Sequence, residues 1–262
     1  MFSEYINNPS KIINKSLADQ LIYLRNKYDY PKSYLAKSND PADISIDENF
    51  WAKPIVCDKG IYSDIELDNY HHRLLHSDVP SENLLGTASV IFWGFQTFSE
   101  KLSLIRTMRH INGDKNKPKS LPLNINSVLN LISKAKNPGT GLGYLSPISQ
   151  LGRTPFASKV IAFMFPETTG VYDNQIMNGL ERSEWAHSAG LVTPVGDVSK
   201  PSTQHGYTKW CQFLTEVAGT VNAGIADGHA WHWTDPCGSK NSWRAIDVER
   251  ALFHYFKNKA DL

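Results

Sequence analysis

Residues Gly152 to Ile176 read GRTPFASKVIAFMFPETTGVYDNQI, and the rest of the chain is organised around this stretch. Thr154 followed by Pro155 predicts a helix start, because a hydroxyl can cap the first turn and proline loses nothing at the first helical position. Phe156, Val160, Phe163 and Met164 then fall on one face at helical spacing. Pro166 ends the run. Val171-Tyr172 is a short extended piece, and Asp173 can cap a second helix that continues through Ile176 and Leu180.

Two ionisable residues stand out in this frame. Lys159 lies near the start of its helix, where the macrodipole favours anions, and its neighbours are apolar. Both conditions favour the free amine, a nucleophile for an electrophilic carbon. Asp173 follows fourteen positions later at a helix start that favours an ionised carboxylate. One tight return between them can bring both groups to the same cleft. The bland alternative is a solvated lysine and an aspartate that only caps.

The segments SKVIAF, a proline and then VYDNQI resemble the core of the helix-hairpin-helix DNA glycosylase superfamily, closest to its compact 8-oxoguanine-glycosylase-like prokaryotic branch. The resemblance covers roughly Leu151 to Leu180. The hairpin itself reads Leu151-Gly152-Arg153-Thr154-Pro155 in place of the usual Leu-Pro-Gly-Val-Gly. The resemblance implies an all-α, two-lobed helical domain over residues 1–262, with DNA across the cleft between the lobes. It also implies catalytic roles for Lys159 and Asp173: the lysine attacks the sugar C1′ of a flipped nucleotide, and the aspartate supports the developing charge or activates the nucleophile. One branch includes antiviral glycosylases that excise glucosylated hydroxymethylcytosine. Excision of oxidised purines is the alternative substrate reading, and a non-catalytic DNA-binding hairpin protein is another.

Composition sets the outer bounds. The 262 residues suffice for a substantial core, and 41% hydrophobic with 20% charged residues describes an ordinary globule. A net charge of +1 gives no general basic excess for indiscriminate nucleic-acid binding, although local basic faces can still hold phosphates. Cys57, Cys211 and Cys237 are too far apart for a cysteine cluster. With no secretory pattern and no long apolar run, the expectation is a cytoplasmic, monomeric protein with no cofactor, no metal and no membrane partner.

In chain order, Ser16 to Tyr28 is expected to be an amphipathic helix, and Asp29 to Gly60 an irregular, proline-broken connection or an edge hairpin containing Trp51. Helices are expected over Ser63–Leu75, Ser81–Gln96, Ser99–Asn112 and Ile125–Ala135. His72 and His76 lie four apart, as a metal pair or as an exposed polar face. The second of these helices is apolar nearly all round, so Trp93 is assigned to the core. Lys101, Arg106, Arg109 and His110, followed by Lys115, Lys117 and Lys119, form the most basic part of the chain, a solvated face or a phosphate-contacting edge.

Asn137 to Pro147, NPGTGLGYLSP, reads as a glycine loop in which Gly141 and Gly143 allow close backbone approach to DNA, or simply as a turn. Arg153 and Thr154 are the hairpin's own candidates for phosphate. A helix is expected from Asn174 past Trp185 and His187, and another over Thr203–Val221. Asn222 to Asn241 reads as an irregular loop whose Trp231, His232 and Trp233 stack on a flipped base or pin the loop to the core. A metal reading there would use His229, His232 and Cys237 or Asp235. Asn174, Gln175 and His232 are the polar candidates of the base pocket. Ser242–Lys257 reads as a structural helix in which Glu249 can pair with a basic residue.

Overall fold

The computed structural model describes residues 2–8, 12–30, 32–41, 43–47, 50–57, 63–96, 100–112 and 121–259. Among these the chain is mostly helical: α1 (Ser3–Asn7), α2 (Lys15–Asn26), α3 (Asp64–Leu75), α4 (Pro80–Gly94), α5 (Glu100–Asn112), α6 (Leu121–Ile132), α7 (Pro138–Tyr144), α8 (Thr154–Met164), α9 (Asn174–Glu181), α10 (Glu184–Ser188), α11 (Pro201–Ala226) and α12 (Ala245–Lys259). The expectation of an all-α chain needs correcting. The proline-broken stretch forms a three-stranded antiparallel sheet, β1 (Ser33–Ser38), β2 (Ile44–Asp47) and β3 (Phe50–Val56), in the order β1-β3-β2. Pro54 sits within β3 opposite Leu35. The alternation is hard to read because β2 is short and its register shifts between Ser45 and Asp47.

The sheet rests on α4. Ser89 accepts a hydrogen bond from the Leu35 backbone N–H at 2.9 Å, and Leu35 itself is fully buried. Every residue of α4 from Asn83 to Trp93 is buried, as its all-round apolar sequence predicts. Helix α3 begins with a capping box, Ser63 with Glu66, and packs beside α4. Apolar side chains from Phe2 to Phe256 join one continuous core.

Two other expectations change. The glycine stretch is helical as α7, not a loop. Its glycines serve packing: a Cβ on Gly139 would come 2.1 Å from the Gln204 carbonyl oxygen, and one on Gly143 would come 2.4 Å from the Gln204 side chain. Gly139 and Gly143, one turn apart, let α7 lie directly on α11. The helix expected from Asn174 to Ser188 breaks at Arg182-Ser183 into α9 and α10. Helix α11 runs five residues beyond Val221, and the remaining loop contains a short hairpin, β4 (Trp233–Thr234) with β5 (Lys240–Asn241).

Helix α12 is fixed at both its start and its flank. The Ala245 and Ile246 backbone N–H groups donate to the Glu167 and Pro166 carbonyls at 3.2 and 3.1 Å, tying α12 to the end of the lysine helix. On its flank, Asp247 and Arg250 enter a buried charge network. Arg25 on α2 bridges Asp64 and Asp247, each at 2.9 Å. Arg244 bridges Asp68 at 2.7 Å and Asp247 at 2.8 Å, while Arg250 grips Asp68 with both terminal nitrogens. Burial alone would raise the Asp247 carboxyl, but Arg244 and Arg25 hold it down at about 2.

Candidate functional site

Helix α8 starts one residue earlier than a Thr154 cap would place it. Arg153 occupies the cap position, and Thr154 is the first helical residue, with Pro155 behind it. The Thr154 hydroxyl accepts from the Gly196 N–H at 3.1 Å and donates to the Gly196 carbonyl at 3.0 Å. It is 1% exposed. Thr154 therefore locks the hairpin to the loop before α11, and its hydroxyl is not directed to a phosphate.

The return from α8 to α9 is held on both sides. Ser158, beside Lys159, accepts from the Tyr172 N–H at 3.0 Å and donates to the Tyr172 carbonyl at 3.2 Å. From α11, the Tyr207 hydroxyl donates to the Gly170 carbonyl and the Trp210 indole to the Val171 carbonyl, each at 3.0 Å. The extended piece 170–172 is thus clamped residue by residue, which fixes where Asp173 must sit.

Asp173 divides its carboxylate between two tasks. Oδ1 caps α9, accepting from the Gln175 and Ile176 N–H groups at 3.1 and 3.2 Å. Oδ2 accepts from the Lys159 Nζ at 3.0 Å. The Lys159 ammonium also donates to the Pro155 carbonyl at 3.3 Å. The desolvation read from the sequence is present, since Lys159 is 6% exposed. With a carboxylate in direct contact, the geometry is that of a buried ion pair. The pair reaches solvent through the Asp173 side chain, 19% exposed.

Gly94, the last residue of α4, makes room for the lysine stem. A Cβ there would lie 2.8 Å from Phe156 Cε1 and 3.1 Å from Lys159 Cδ. The Tyr30 hydroxyl donates to the Trp93 and Gly94 carbonyls at 3.3 and 3.2 Å. Burial first, and then the charges of Asp173 and Glu249, push that hydroxyl well above the ordinary tyrosine range.

Glu249 is the residue the sequence reading placed in a purely structural helix. It is 4% exposed, and among the described residues it has no ion pair. A Cβ on Gly170 would lie 2.9 Å from Glu249 Cβ, so the carboxyl-bearing side chain lies directly behind the clamped return. Desolvation, and then the Asp173 charge, push its carboxyl up to about 8, partly offset by Arg250, Lys159 and Arg25. A sequence signal existed: Glu249 falls on the apolar stripe of α12, three positions from both Ile246 and Leu252.

The other candidates separate. Arg106 and Arg109 are exposed on α5, whose His110 ring lies 4.6 Å from Phe156; Phe156 in turn lies 5.8 Å from Lys159 Nζ. Arg153 is exposed at the start of α8. These three arginines belong to the elements around the pair. Lys115, Lys117 and Lys119 lie outside the described residues. Gly141 is buried against Ile132 and Ile161, and Gly143 faces Gln204, so neither offers open backbone to a ligand. Asn174 is exposed beside Asp173. Gln175 Nε2 is buried, with no hydrogen-bond partner among the described residues.

The aromatic loop changes its role. Trp233 is fully buried, donates its indole N–H to the Ser242 carbonyl at 3.0 Å and has the Arg25 guanidinium 3.8 Å above its ring. It is a core residue, not a stacking surface. Trp231 packs over Gly224 and stacks on His229 at 4.4 Å, lining a groove of about 730 Å³ with Tyr5, Ile13 and Glu216. Neither Lys159 nor Asp173 lines that groove. His232 is half-buried beside these two tryptophans.

The His72 and His76 rings lie 4.4 Å apart, and His76 Nε2 is 3.0 Å from the Met164 carbonyl. Among the described residues no three His, Cys, Asp or Glu side chains are grouped to hold a metal, and no helix is long and apolar enough to cross a membrane. No family model matches the chain, and neither the curated proteins nor the solved structures contain a match.

Proposed function

We propose that the chain is a DNA N-glycosylase in which Lys159 and Asp173 act on the sugar C1′ of an extruded nucleotide. The observation that carries this reading is the 3.0 Å contact of Lys159 Nζ with Asp173 Oδ2, made by two helix starts joined through one clamped return. The resemblance noted from the sequence rests on those same two residues.

Cleaving a base–sugar bond develops positive charge on the sugar, and a fixed carboxylate beside it lowers that barrier. Asp173 is preorganised for this because the α9 backbone holds one of its oxygens. The lysine route begins with proton transfer from the Lys159 ammonium to Asp173. The free amine attacks C1′ as the bond to the base breaks with its electron pair leaving on the base, which takes the proton from Asp173; the attached nitrogen then returns a proton to Asp173, and the C1′–O4′ bond opens with O4′ taking that proton, which gives the Schiff base. Hydrolysis of the resulting Schiff base leaves an abasic site; elimination from it cleaves the strand. Without amine attack, Asp173 alone supports hydrolysis to the same abasic site.

The target must leave the duplex to reach this pair. Arg106, Arg109 and Arg153 are the candidate phosphate contacts, and Asn174 with the unpartnered amide of Gln175 are the candidate base contacts. Double-stranded DNA across a cleft between two lobes is the expected complex. Glucosylated hydroxymethylcytosine in anti-phage defence is the preferred substrate, because the loop 222–241 and the N-terminal segment are larger than a small repair enzyme needs; oxidised purines are the alternative.

Incubation with duplex DNAs that differ only in one modified base, followed by mass spectrometry of released bases, tests the proposal. Release is expected from one class of DNA, with loss in Asp173→Asn. Borohydride trapping of a DNA adduct in the wild-type protein, absent in Lys159→Gln, identifies the amine route. Undiminished release by Asp173→Asn would overturn the assignment.

A further inference from the structure

We propose that Phe156, with Phe95 and His110 beside it, is a stacking face for an unpaired nucleobase, set at the rim of the Lys159–Asp173 pair. The inference deepens the glycosylase reading and rests on it for the source of the base, an extruded nucleotide. The site itself stands on ring geometry and charge.

The three rings come from three helices. Phe95 closes α4, His110 lies in the last turn of α5, and Phe156 lies in the first turn of α8. The Phe156 ring is 4.8 Å from Phe95 and 4.6 Å from His110, and those two are 5.8 Å apart. Each is held from outside the cluster. A Cβ on Gly94 would lie 2.8 Å from Phe156 Cε1, so this ring is laid against the α4 backbone. The Phe95 carbonyl accepts from the Ser103 hydroxyl at 2.8 Å. His110 Nε2 donates to the Gln150 carbonyl at 2.5 Å, which ties α5 to the segment leading into α8. None of the three rings is fully buried, whereas Phe92, Trp93 and Phe163 behind them belong to the core. Rings fixed this firmly and left partly open offer a flat surface whose ordering cost is already met. Because Phe156 is 5.8 Å from Lys159 Nζ, a base stacked there brings its sugar into the neighbourhood of the amine.

Charge selects the ligand. Arg106 stands one turn before His110, Arg109 immediately before it and Arg153 three positions before Phe156, and all three arginines are exposed. Helix α5 carries no acid after Glu100. Rings interleaved with cations hold single-stranded nucleic acid, with bases on the rings and phosphates on the arginines. The stacked rings of His229 and Trp231 sit in the opposite environment. Their groove is lined by Glu216 and Asp227, with no lysine or arginine among the described residues that form it. Two carboxylates there repel a phosphate chain.

Two measurements on the full-length protein test the assignment. The first is titration with a single-stranded oligonucleotide carrying one 2-aminopurine flanked by abasic spacers, so that stacking on the protein is what quenches its fluorescence. Phe156→Leu keeps the apolar bulk and loses the flat face; it is expected to bind about five- to a hundredfold more weakly and to lose the quench. Phe156→Tyr is expected to behave as wild type, and Trp231→Ala to change neither quantity. The second uses the wild-type protein and so does not depend on how a variant folds. Photocrosslinking to a single-stranded oligonucleotide bearing 5-iodouracil, followed by peptide mapping, is expected to place the adduct on Phe156 in the tryptic peptide 154–159, on His110 or on Phe95. Wild-type binding and quenching in Phe156→Leu, an adduct confined to the peptide 210–240 that carries Trp231, or no adduct would overturn the inference. Neither measurement scores base release. Stacking with no base released from any modified duplex removes the glycosylase reading alone, and base release whose kcat/KM is unchanged in Phe156→Leu removes this inference alone.

Discussion

Helix α12 separates two sets of buried charges that are built on different terms. On one flank Arg25, Asp64, Asp68, Arg244, Asp247 and Arg250 satisfy one another through multiple short contacts. On the other, Lys159 and Asp173 share one contact, and Glu249 has none of the ion pairs its neighbours make. The first set is a closed network with little left to offer a ligand. The second is less fully paired, and Lys159 and Asp173 lie on two helix starts joined by one short return. Charges that saturate each other fix the fold, whereas charges held close but left incomplete are available for chemistry.

The contrast can be broken experimentally, starting with its largest expected effect. Asp173→Asn should reduce base release by about 10²–10⁴-fold. Its fold should survive, because asparagine also caps a helix start. Comparable unfolding curves beside an unchanged release rate would place Asp173 in the structural class.

Asp68→Ala should show the opposite profile. Removing the partner shared by Arg244 and Arg250 leaves buried guanidinium groups uncompensated, at a cost of about 3–5 kcal/mol in urea unfolding. A loss below about 1 kcal/mol would mean that the network contributes little to holding α12.

Glu249 gives a pH-dependent test of the same distinction. Its folded carboxyl is raised from 4.5 to about 8, so its contribution is complete below pH 4.5 and is lost as pH rises through 8. The stability gap between Glu249→Gln and wild type should therefore shift by about 4 kcal/mol in the variant's favour from pH 4.5 to pH 8. Parallel stability curves would show the carboxyl to be ordinary.

The smallest effect belongs to Gly94→Ala. The added methyl meets Phe156 and the Lys159 stem, at a net cost of about 1 kcal/mol. A displaced lysine should slow borohydride trapping more than it lowers the unfolding midpoint. Equal losses in both would indicate general loosening.

How much of this was readable from residues alone varies with the range of the interaction. The helix start beside Pro155, the stop before Pro166 and the Asp173 cap are local events, and they are legible because proline and aspartate act on their immediate neighbours. Thr154 reads locally as a cap, but its hydroxyl is engaged by Gly196, forty-two positions away. The glycines of α7 read as loop formers because sequence shows their conformational freedom and hides the α11 residues packed against them. Trp233 looked suited to stacking because its burial depends on Arg25 and Ser242, which the loop does not contain. Glu249 reads from sequence as a partner for a basic residue on a structural helix, because a glutamate on an amphipathic helix is usually solvated; among the described residues it has no ion pair. Its position on the apolar stripe was the available clue, and its relation to Asp173 lies seventy-six positions away.

The Arg25–Asp247 contact spans 222 positions, which bears on the order of events during synthesis. A nascent chain that has emerged as far as α9 already contains Lys159 and Asp173, yet it lacks α12, the backing behind Gly170 and half of the charge network. Until the ribosome delivers that last helix, Arg25 has no Asp247 to meet and nothing backs Gly170, so maturation of the site is expected to be a late, long-range step.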